Sequence, residues 1–238
     1  MENATYTALT RQSGLMNEMR VVANNIANLS TTGFRAEGVI FAEHVKALGP
    51  NDPSLSMATA SVRETIALQG TLTQTGGAFD LAIEGEGFFL IETPQGERLT
   101  RAGAFTPNEN GDLVTPEGFR VLDAGGAPVF VPQGAGPVGI APDGTISAGG
   151  QPVGQIGLVN PTNLIGMVRE DGVRFRANDG FEPSIEGRML QGFVEESNVN
   201  PVLEISRMIE VQRSYELGQS FLDKEDERIR SAIRALGK

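Results

Sequence analysis

The chain has 238 residues, of which 39% are hydrophobic, so it is long enough to form one or two domains around a buried core. Its 19 Lys and Arg residues are outnumbered by 30 Asp and Glu residues, and the resulting formal charge of −11 argues against a nucleic-acid-binding protein. The lack of Cys and the presence of a single His, His44, argue against disulfides, multi-histidine metal centres and most charge-relay triads, so no catalytic, metal or cofactor-binding residue is predicted.

The N-terminal segment predicts an amphipathic helix. Residues 1–32 contain a single glycine, Gly14, and no proline. Steps of three and four residues place one narrow, mostly apolar stripe on the helix, formed by Leu9, Gln12, Met16, Met19, Ala23 and Ile26. We expect the helix to stop at Gly33.

The middle of the chain predicts antiparallel β structure. Residues 76–190 hold 22 of the 30 glycines and 10 of the 13 prolines, which are strong breakers of helices. Turn dipeptides such as Asn110-Gly111 and Asp143-Gly144 separate short runs of strand formers. The predicted strands include residues 79–83, 88–91, 103–105, 113–115 and 120–122.

The regions beside the β domain are predicted to be connectors. We expect residues 35–78 and 188–197 to be largely extended, with the β domain over residues 79–187. Residues 39–48 have helical spacing, and a loop is expected at residues 49–53.

The C-terminal segment predicts a second helix, with Asn200 as N-cap and Pro201 in the first helical position. One row recurs every seven residues: Met208, Tyr215, Leu222, Ile229 and Leu236. Its expected partner row is half polar: Ile205, Gln212, Gln219, Asp226 and Ile233. Such a thin seam does not stabilise an isolated helix in water, so the helix is expected to need partners.

Three short patterns suggest catalysis or ligand binding but are better explained as structure. Gly85-Glu86-Gly87 lacks the third glycine and the helix of a dinucleotide site. The carboxylates of Glu84 and Glu86, or of Glu195 and Glu196, are adjacent in sequence, which does not make a glycosidase pair. The oxygens of Asn108, Asn110 and Asp112 favour a hairpin turn over a calcium loop, because Phe119 stands where the bidentate Glu is needed.

Three asparagines at the end of the first helix, Asn24, Asn25 and Asn28, leave two interpretations open. Asn is a poor helix former because its amide competes with the backbone. The amides could therefore satisfy carbonyl groups at a frayed helix end. Alternatively, they could form hydrogen bonds with neighbouring copies of the chain and specify their register.

The sequence resembles the bacterial flagellar rod and hook proteins. The N-terminal signature is Asn24-Asn25-Ile26-Ala27-Asn28 followed by Thr31-Thr32-Gly33-Phe34-Arg35. Further blocks follow in order: Phe79-Asp80-Leu81-Ala82-Ile83 with Gly85-Glu86-Gly87-Phe88-Phe89, Thr100-Arg101-Ala102-Gly103-Ala104-Phe105 with Gly111-Asp112-Leu113-Val114, Glu196-Ser197-Asn198-Val199-Asn200-Pro201, and Met208-Ile209 with Gln212-Arg213-Ser214-Tyr215-Glu216. The length and the opening residues are most similar to the proximal rod branch of this family, with the distal rod branch as the nearest alternative.

The resemblance implies a structural subunit of the rod, the drive shaft that transmits torque from motor to hook. It implies an α+β fold in which residues 1–34 and 198–238 form an inner, coiled-coil-like pair of helices that carries the β domain. Two thin helical seams at opposite ends of the chain can complete each other, which agrees with this arrangement. The resemblance further implies an assembly interface formed by Leu9, Met16, Met19, Asn24, Asn25, Ile26, Asn28, Thr32, Gly33, Phe34, Asn198, Asn200, Met208, Ile209, Arg213, Tyr215, Leu222 and Ile229.

The partners implied are copies of the chain, inner and distal rod subunits, the type III export apparatus and the rod-capping protein. No stretch approaches the ~18 apolar residues of a membrane span, and the polar N-terminus lacks a secretory signal pattern. We therefore expect a periplasmic rod protein, exported without a cleaved signal peptide and not membrane-spanning.

A peptidoglycan-binding or glycan-cleaving module is the alternative from another functional class. It requires a cleft lined by aromatic side chains with separated carboxylates. The chain has no Trp, and its two Tyr residues, Tyr6 and Tyr215, lie in the predicted helices, which argues against this alternative.

Overall fold

A computed structural model describes residues 2–46, 55–134 and 136–236 of the chain. These residues form two compact units. The helical unit contains the described residues of Met1–Ala27, Ala36–Ile66 and Asn200–Lys238. The β unit contains those of Asn28–Arg35 and Ala67–Val199. Two terminal helices and many antiparallel strands confirm the α+β class.

The helical unit consists of two helices and one β-hairpin. Its elements are α1 Glu2–Ala27, β1 Glu37–Lys46, β2 Leu55–Thr65 and α2 Pro201–Leu236. Strands β1 and β2 pair antiparallel from Glu37 opposite Thr65 to Lys46 opposite Leu55, with a register shift between Ile40 and Phe41. Helix α1 contacts both α2 and the hairpin. None of the described helices has an apolar stretch long enough to cross a membrane.

One pattern and one expectation in this unit differ from the structure. The described part of residues 39–48 has helical spacing but is extended in β1, because β1 satisfies its backbone by pairing with β2. The remainder of that stretch and the loop expected at residues 49–53 lie outside the described residues. Helix α1 ends at Ala27, and a turn at Asn28–Ser30 comes before Gly33, which therefore is not the helix stop.

The β unit contains sixteen short strands, β3 to β18. They are β3 Leu72–Gln74, β4 Leu81–Glu84, β5 Phe88–Thr93, β6 Gly96–Thr100, β7 Thr106–Pro107, β8 Leu113–Val114, β9 Arg120–Leu122, β10 Val138–Ile140, β11 Thr145–Ala148, β12 Gln151–Gln155, β13 Leu158–Pro161, β14 Met167–Asp171, β15 Arg174–Ala177, β16 Phe181–Pro183, β17 Arg188–Gln191 and β18 Phe193–Glu195. The main sheet runs β14-β15-β6-β5-β9-β8-β7, with β13 joining β5 to β16. Strands β10-β11-β12 form a second sheet, and β17 with β4 and β18 with β3 form two-stranded ladders.

Two clusters of buried apolar side chains fill the β unit. The larger one includes Leu81, Phe89 and Ile146, and the smaller one includes Leu90 and Phe175. The rings of Phe89 and Phe105 meet edge to face with their centroids 5.1 Å apart, a favourable geometry for aromatic pairs. Both clusters lie wholly within this unit, so it has a core of its own.

The sequence located some strands well and others poorly. The strand predicted at residues 120–122 coincides with β9, and that at 88–91 lies inside β5. The strand predicted at 103–105 is wrong, since Ala104 forms only an isolated bridge with Asp80. A Cβ on Gly103 would stand 1.7 Å from the carbonyl oxygen of Leu81, so this segment is fixed by a close backbone approach.

Candidate assembly site

Helices α1 and α2 contact each other in antiparallel order through polar and apolar groups. The Gln12 side-chain amide donates to the Tyr215 carbonyl oxygen over 2.9 Å. Further along α1, Glu18 pairs with Arg207 over 2.8 Å. A Cβ on Gly218 would stand 2.5 Å from the Gln12 amide nitrogen, so Gly218 is the position that admits Gln12.

The row of α2 that faces α1 differs in part from the predicted one. Met208, Tyr215 and Leu222 are half-buried, as a row facing α1 requires. The expected partner row, which began at Ile205, is exposed at its described positions. Its place is taken by residues one position earlier in each heptad: Glu204, Val211, Gly218 and Glu225. The shift follows from Gly218, because the close approach of Gln12 fixes which face of α2 turns toward α1.

The buried face of α1 is also wider than the predicted stripe. Met16, Met19 and Ile26 are half-buried, but Leu9 and Ala23 are exposed. The most buried side chains of α1 are those of Gln12, Leu15, Glu18, Val21, Val22 and Asn25. Because α1 packs against the hairpin as well as α2, its buried face covers more of the helix than one seam.

Helix α2 exposes many large apolar side chains. Ile205 and Ile209 lie on its far side, half or nearly half exposed, and Arg213 beside them is exposed too. The others are Val202, Leu203, Leu217, Phe221, Ile229 and Ile233. So many exposed large apolar side chains on one helix make it a candidate interaction surface.

The end of α2 continues past the start of α1. Helix α2 has 36 residues and α1 has 26, and their antiparallel contacts place the C-terminal turns of α2 beyond the first turn of α1. Ile229 continues the row of Leu222 but is 40% exposed, and Ile233, which belongs to the Ile205 row, is 64% exposed. The row of α2 that packs on α1 therefore continues beyond the start of α1, where the described part of α1 does not cover it.

A groove of about 600 Å³ runs along the two helices beside this exposed surface. It is lined by Thr7, Ala8, Arg11, Gln12, Leu15, Ser214, Leu217, Gly218 and Phe221. The Oε1 atom of Gln12 is buried there without a hydrogen-bond donor among the described residues. A buried amide oxygen left unpaired costs about 1–3 kcal/mol, so an incoming donor would relieve that cost.

The asparagine amides make hydrogen bonds inside the chain. Asn25 is fully buried: its Nδ2 donates to the Glu37 carbonyl oxygen over 2.9 Å, and its Oδ1 accepts from the Glu37 amide over 3.0 Å. Asn28 accepts from the Thr31 hydroxyl, and Asn198 donates to the Leu68 carbonyl oxygen. Asn24 is half-buried. For Asn25 and Asn28 these bonds favour the first interpretation, in which the amides satisfy groups of their own chain, and Asn198 is likewise bonded within the chain.

Asn200 caps α2 as predicted. Its Oδ1 accepts from the amides of Val202 and Leu203 over 3.1 and 3.2 Å. These are two of the donors that the first turn of a helix leaves unpaired. The cap fixes the residue at which α2 begins.

A buried charge cluster organises the β unit, and we call Arg35, Arg101 and Glu195 the arginine clamp. Arg35 pairs with Glu195 Oε1 over 2.9 Å, and Arg101 Nε pairs with Glu195 Oε2 over 2.7 Å. All three side chains are at least 94% buried. Arg101 also donates to the carbonyl oxygens of Ile83, Gly85 and Gly87.

The clamp holds residues 28–35 inside the β unit. From here on we call this segment the connector; it differs from the connectors expected at residues 35–78 and 188–197. Gly33 donates its amide to the Glu195 carbonyl oxygen over 2.7 Å, and the Phe34 carbonyl oxygen accepts from the Asn198 amide. Gly33 has φ +70°, and a Cβ there would stand 2.2 Å from the Ala102 backbone nitrogen. The guanidinium of Arg169 stacks on the Phe34 ring, 4.6 Å from its centroid.

Burial shifts the pKa values of both arginines of the clamp downward. Desolvation lowers the pKa of Arg35 to about 10, and the nearby charge of Glu195 opposes that shift. The pKa of Arg101 is lowered for the same reason and against the same opposition. Guanidinium groups are effectively always protonated in proteins, so two buried cations share one carboxylate.

The structure therefore divides the predicted interface between two units. Gly33 and Phe34 are buried in the β unit, Thr32 is half-buried there, and they serve to anchor the connector. The sequence analysis missed Arg35, Arg101 and Glu195 as a group. The sequence did offer one sign of the group. Arg35 and Arg101 lie in two of the sequence blocks that resemble the rod and hook proteins, Glu195 directly precedes a third, and these blocks meet at the clamp.

The carboxylates considered for glycan cleavage do not form a catalytic pair. Glu195 is fully buried and held by two arginines, so it cannot reach a polysaccharide. Glu84 is exposed at the end of β4, and Glu86 is exposed in the bend that follows it. Asn108 Oδ1 accepts from the amides of Asn110 and Asp112, which confirms the hairpin turn at that site. Among the described residues, no cluster of His, Asp and Glu could hold a metal ion.

Comparison with known proteins identifies relatives over the whole chain. Three family models match: "Flagella basal body rod protein" over residues 6–35, "Flagellar hook protein FlgE/F/G D1 domain" over residues 82–148, and "Flagellar basal body rod FlgEFG protein C-terminal" over residues 190–235. The chain is 41% identical to flagellar basal-body rod protein FlgF of Caulobacter vibrioides, covering 100% of this chain and 99% of that one. It is 39% identical to FlgF of Mesorhizobium japonicum, with the same coverage. It is 31% identical to flagellar basal-body rod protein FlgG of Caulobacter vibrioides, covering 96% of this chain and 97% of that one.

Proposed function

The chain belongs to the family of flagellar basal-body rod proteins and is a structural subunit of the rod, and we propose that it builds the proximal rod and transmits torque by assembling through its two terminal helices. The observation that carries this proposal is the apolar surface of α2. Ile205, Ile209 and Leu217 are each about half exposed or more on one long helix. A helix with such a surface is stabilised when other helices cover it.

The proposed assembly pairs α1 and α2 of each subunit as a coiled-coil-like core and packs it against helices of neighbouring subunits. Each large apolar side chain that becomes fully buried contributes about 1.5–3 kcal/mol. Ile229 continues the α1-facing row past the start of α1, and together with the exposed Ile233 it gives the next subunit along the rod an apolar surface. A head-to-tail contact of this kind does not close on itself and generates a helical tube.

Assignment to the proximal branch is supported by the difference between two relatives from one organism. The chain is 41% identical to the FlgF protein of Caulobacter vibrioides but 31% identical to its FlgG protein. The distal rod protein of the same family is the alternative assignment. The branch assignment and the role in torque transmission are parts of the same proposal.

The proposed partners are copies of this chain and the inner and distal rod subunits. The export apparatus and the rod-capping protein would act on the chain during assembly. We place the assembled subunit in the periplasmic part of the basal body. An enzymatic role is not proposed, since the relatives are rod proteins and the Glu195 carboxylate is already paired with Arg35 and Arg101.

The test is a double substitution on the α1-facing row of α2, Leu222→Asp with Ile229→Asp. Two carboxylates in a buried helix interface are costly to desolvate, so we expect cells carrying only this variant to lose swimming. The β unit should keep its far-UV circular dichroism and urea midpoint, because neither residue belongs to it. Swimming cells would contradict the proposal.

A matched control adds the same two charges elsewhere on the helix. Gln212→Asp with Gln219→Asp has the same spacing of seven residues, and both positions are exposed and polar. We expect these cells to keep most of their swimming. Equal loss in both variants would show that added charge, and not the α1-facing row, causes the defect.

A further inference from the structure

A cleft of about 550 Å³ lies on the β unit at the start of β13. Pro142 and Pro183 line it and are exposed, whereas Ile156 and Leu158 line it but are only 1% and 8% exposed. Ile185 lines its edge and is 96% exposed. The exposed apolar surface of the cleft is therefore that of Pro142, Pro183 and Ile185.

The loop between β13 and β14 carries the complementary feature. Ile165 is 94% exposed at its tip, and Leu164 beside it is 57% exposed. The loop is held in shape by hydrogen bonds: Ile165 donates its amide to Asn163 Oδ1 over 3.0 Å, and Asn163 donates to Asp179 Oδ2 over 2.9 Å. A pair of apolar side chains fixed in advance loses less conformational freedom on binding.

The cleft and the loop lie at opposite ends of the same pair of strands. Strands β13 and β16 pair antiparallel, with Val159 opposite Pro183 and Pro161 opposite Phe181. The cleft adjoins Leu158 and Pro183, whereas the loop begins after Pro161. At the usual rise per strand residue, the four residues of β13 alone separate them by about 13 Å. The loop of one copy cannot enter its own cleft.

Each feature has one charged side chain without an ion pair among the described residues, and the two are opposite in sign. Arg188 lines the cleft and has no ion-pair partner among the described residues. Asp179 stands beside the loop and is likewise without an ion pair in the described part of the chain, accepting from Asn163. Asp143, the acidic group of the cleft, is already engaged, since its two oxygens accept from the amide and hydroxyl of Thr145.

We infer that the Leu164–Ile165 loop of one copy inserts into the Ile156–Leu158 cleft of a second copy, with Asp179 approaching Arg188. The contact joins two different surfaces, so repeated use adds copies head to tail without closing a dimer. The inference rests on the proposed function, because it names a contact between the β units of neighbouring rod subunits. It is independent of the helices that carry that function.

Cysteine cross-linking tests this contact directly, because the chain has no native Cys. The variant carries Ile165→Cys with Ile185→Cys as the sole copy in cells, and isolated basal bodies are oxidised mildly. Disulfides need Cα atoms within about 7 Å, so only a loop seated at a cleft cross-links. We expect dimers and higher multimers of this chain on a non-reducing gel. If this pair prevents assembly, Leu164→Cys with Ile185→Cys replaces it.

Three controls make the outcome decisive. Each single variant, Ile165→Cys or Ile185→Cys, should stay monomeric, and so should Ile165→Cys with Phe130→Cys, since Phe130 is another exposed apolar residue of the unit. The paired variant should give at least fivefold more product than any control. Dimers from a single variant, a mixed product with another rod protein, or no product above the controls would overturn the inference.

Charge reversal supplies the second measurement. Asp179→Arg and Arg188→Glu, each added to the cross-linking pair, should reduce the product at least fivefold, and combining them should restore it. Failure of restoration would show that these two groups do not face each other. Failure of this contact leaves the swimming result at Leu222 and Ile229 unaffected, so the two proposals fail separately.

Discussion

The β unit and the helical unit differ in how they treat their apolar side chains. The β unit encloses two clusters in which Leu81, Phe89 and Phe175 are fully buried. In the helical unit, Val211 is the most buried apolar residue of α2, while Leu217 and Ile233 stay mostly exposed. Free energy of local unfolding follows burial, so the two units should differ in stability.

This difference in burial indicates what each unit contributes to a filament. A unit with its own core can fold before assembly, whereas helices with uncovered apolar surface gain stability when neighbours cover that surface. Amide hydrogen exchange of the isolated chain measures this difference. We expect slow exchange in β5 and β6 and faster exchange along α2. Equally slow exchange in both would show that the helical unit is stable by itself.

Glu195→Gln is expected to have the largest effect, and it separates the two units. The substitution leaves Arg35 and Arg101 buried without a counter-charge, which costs about 3–5 kcal/mol. We expect the urea midpoint of the β signal in far-UV circular dichroism to fall accordingly. Tyrosine fluorescence should change little, because Tyr6 and Tyr215 lie in the helices and the chain has no Trp.

The neighbouring Glu196→Gln is the matched control for this prediction. Glu196 is exposed and accepts from the Thr73 hydroxyl, so its loss should move the midpoint little. If Glu195→Gln shifts the tyrosine signal as much as the β signal, the units unfold together. The contrast between them would then not hold for the isolated chain.

Gly33→Ala is expected to have the next largest effect. An alanine at φ +70° costs about 1–2 kcal/mol, and its Cβ would overlap the Ala102 backbone nitrogen at 2.2 Å. The overlap requires a backbone shift, which adds about 1–3 kcal/mol. We expect the thermal midpoint of the β unit to fall.

Gly76→Ala separates the strain of the dihedral angle from that of the contact. Gly76 has φ +76°, but a Cβ there meets no atom within 4 Å. This variant should show the cost of the dihedral angle alone. An equal fall in both variants would mean that the connector is not held tightly against Ala102.

Local features of the sequence were predicted more accurately than contacts between distant segments. The cap at Asn200 and the strand at β9 depend on neighbouring residues, and both were located correctly. Of the two predicted rows on α2, only the partner row was displaced by one residue, because its position depends on Gln12 of α1 meeting Gly218. Heptad spacing alone does not contain that contact.

The arginine clamp could not be predicted for a related reason. Arg35, Arg101 and Glu195 are far apart in the chain, and each has an ordinary local setting for a charged surface residue. Only the pairing of β18 with β3 and the return of the connector bring them together. Their burial follows from topology, which composition and periodicity do not specify.

Asn200→Ala is expected to have the smallest effect, and it acts on the opposite unit. Loss of the acceptor for the amides of Val202 and Leu203 costs about 1 kcal/mol of helix stability. Hydrogen exchange should accelerate in the first turn of α2. The urea midpoint of the β signal should not change, because Asn200 and α2 lie in the helical unit.

Asn200→Asp keeps the acceptor and so provides the control for this cap. A carboxylate at a helix N-terminus also interacts favourably with the helix dipole, so exchange in this variant should match or be slower than in the parent chain. If Asn200→Ala leaves exchange unchanged, the first turn of α2 is already open in the isolated chain. That result would strengthen the contrast between the units, since the cap would then matter only after neighbouring helices cover the exposed surface of α2.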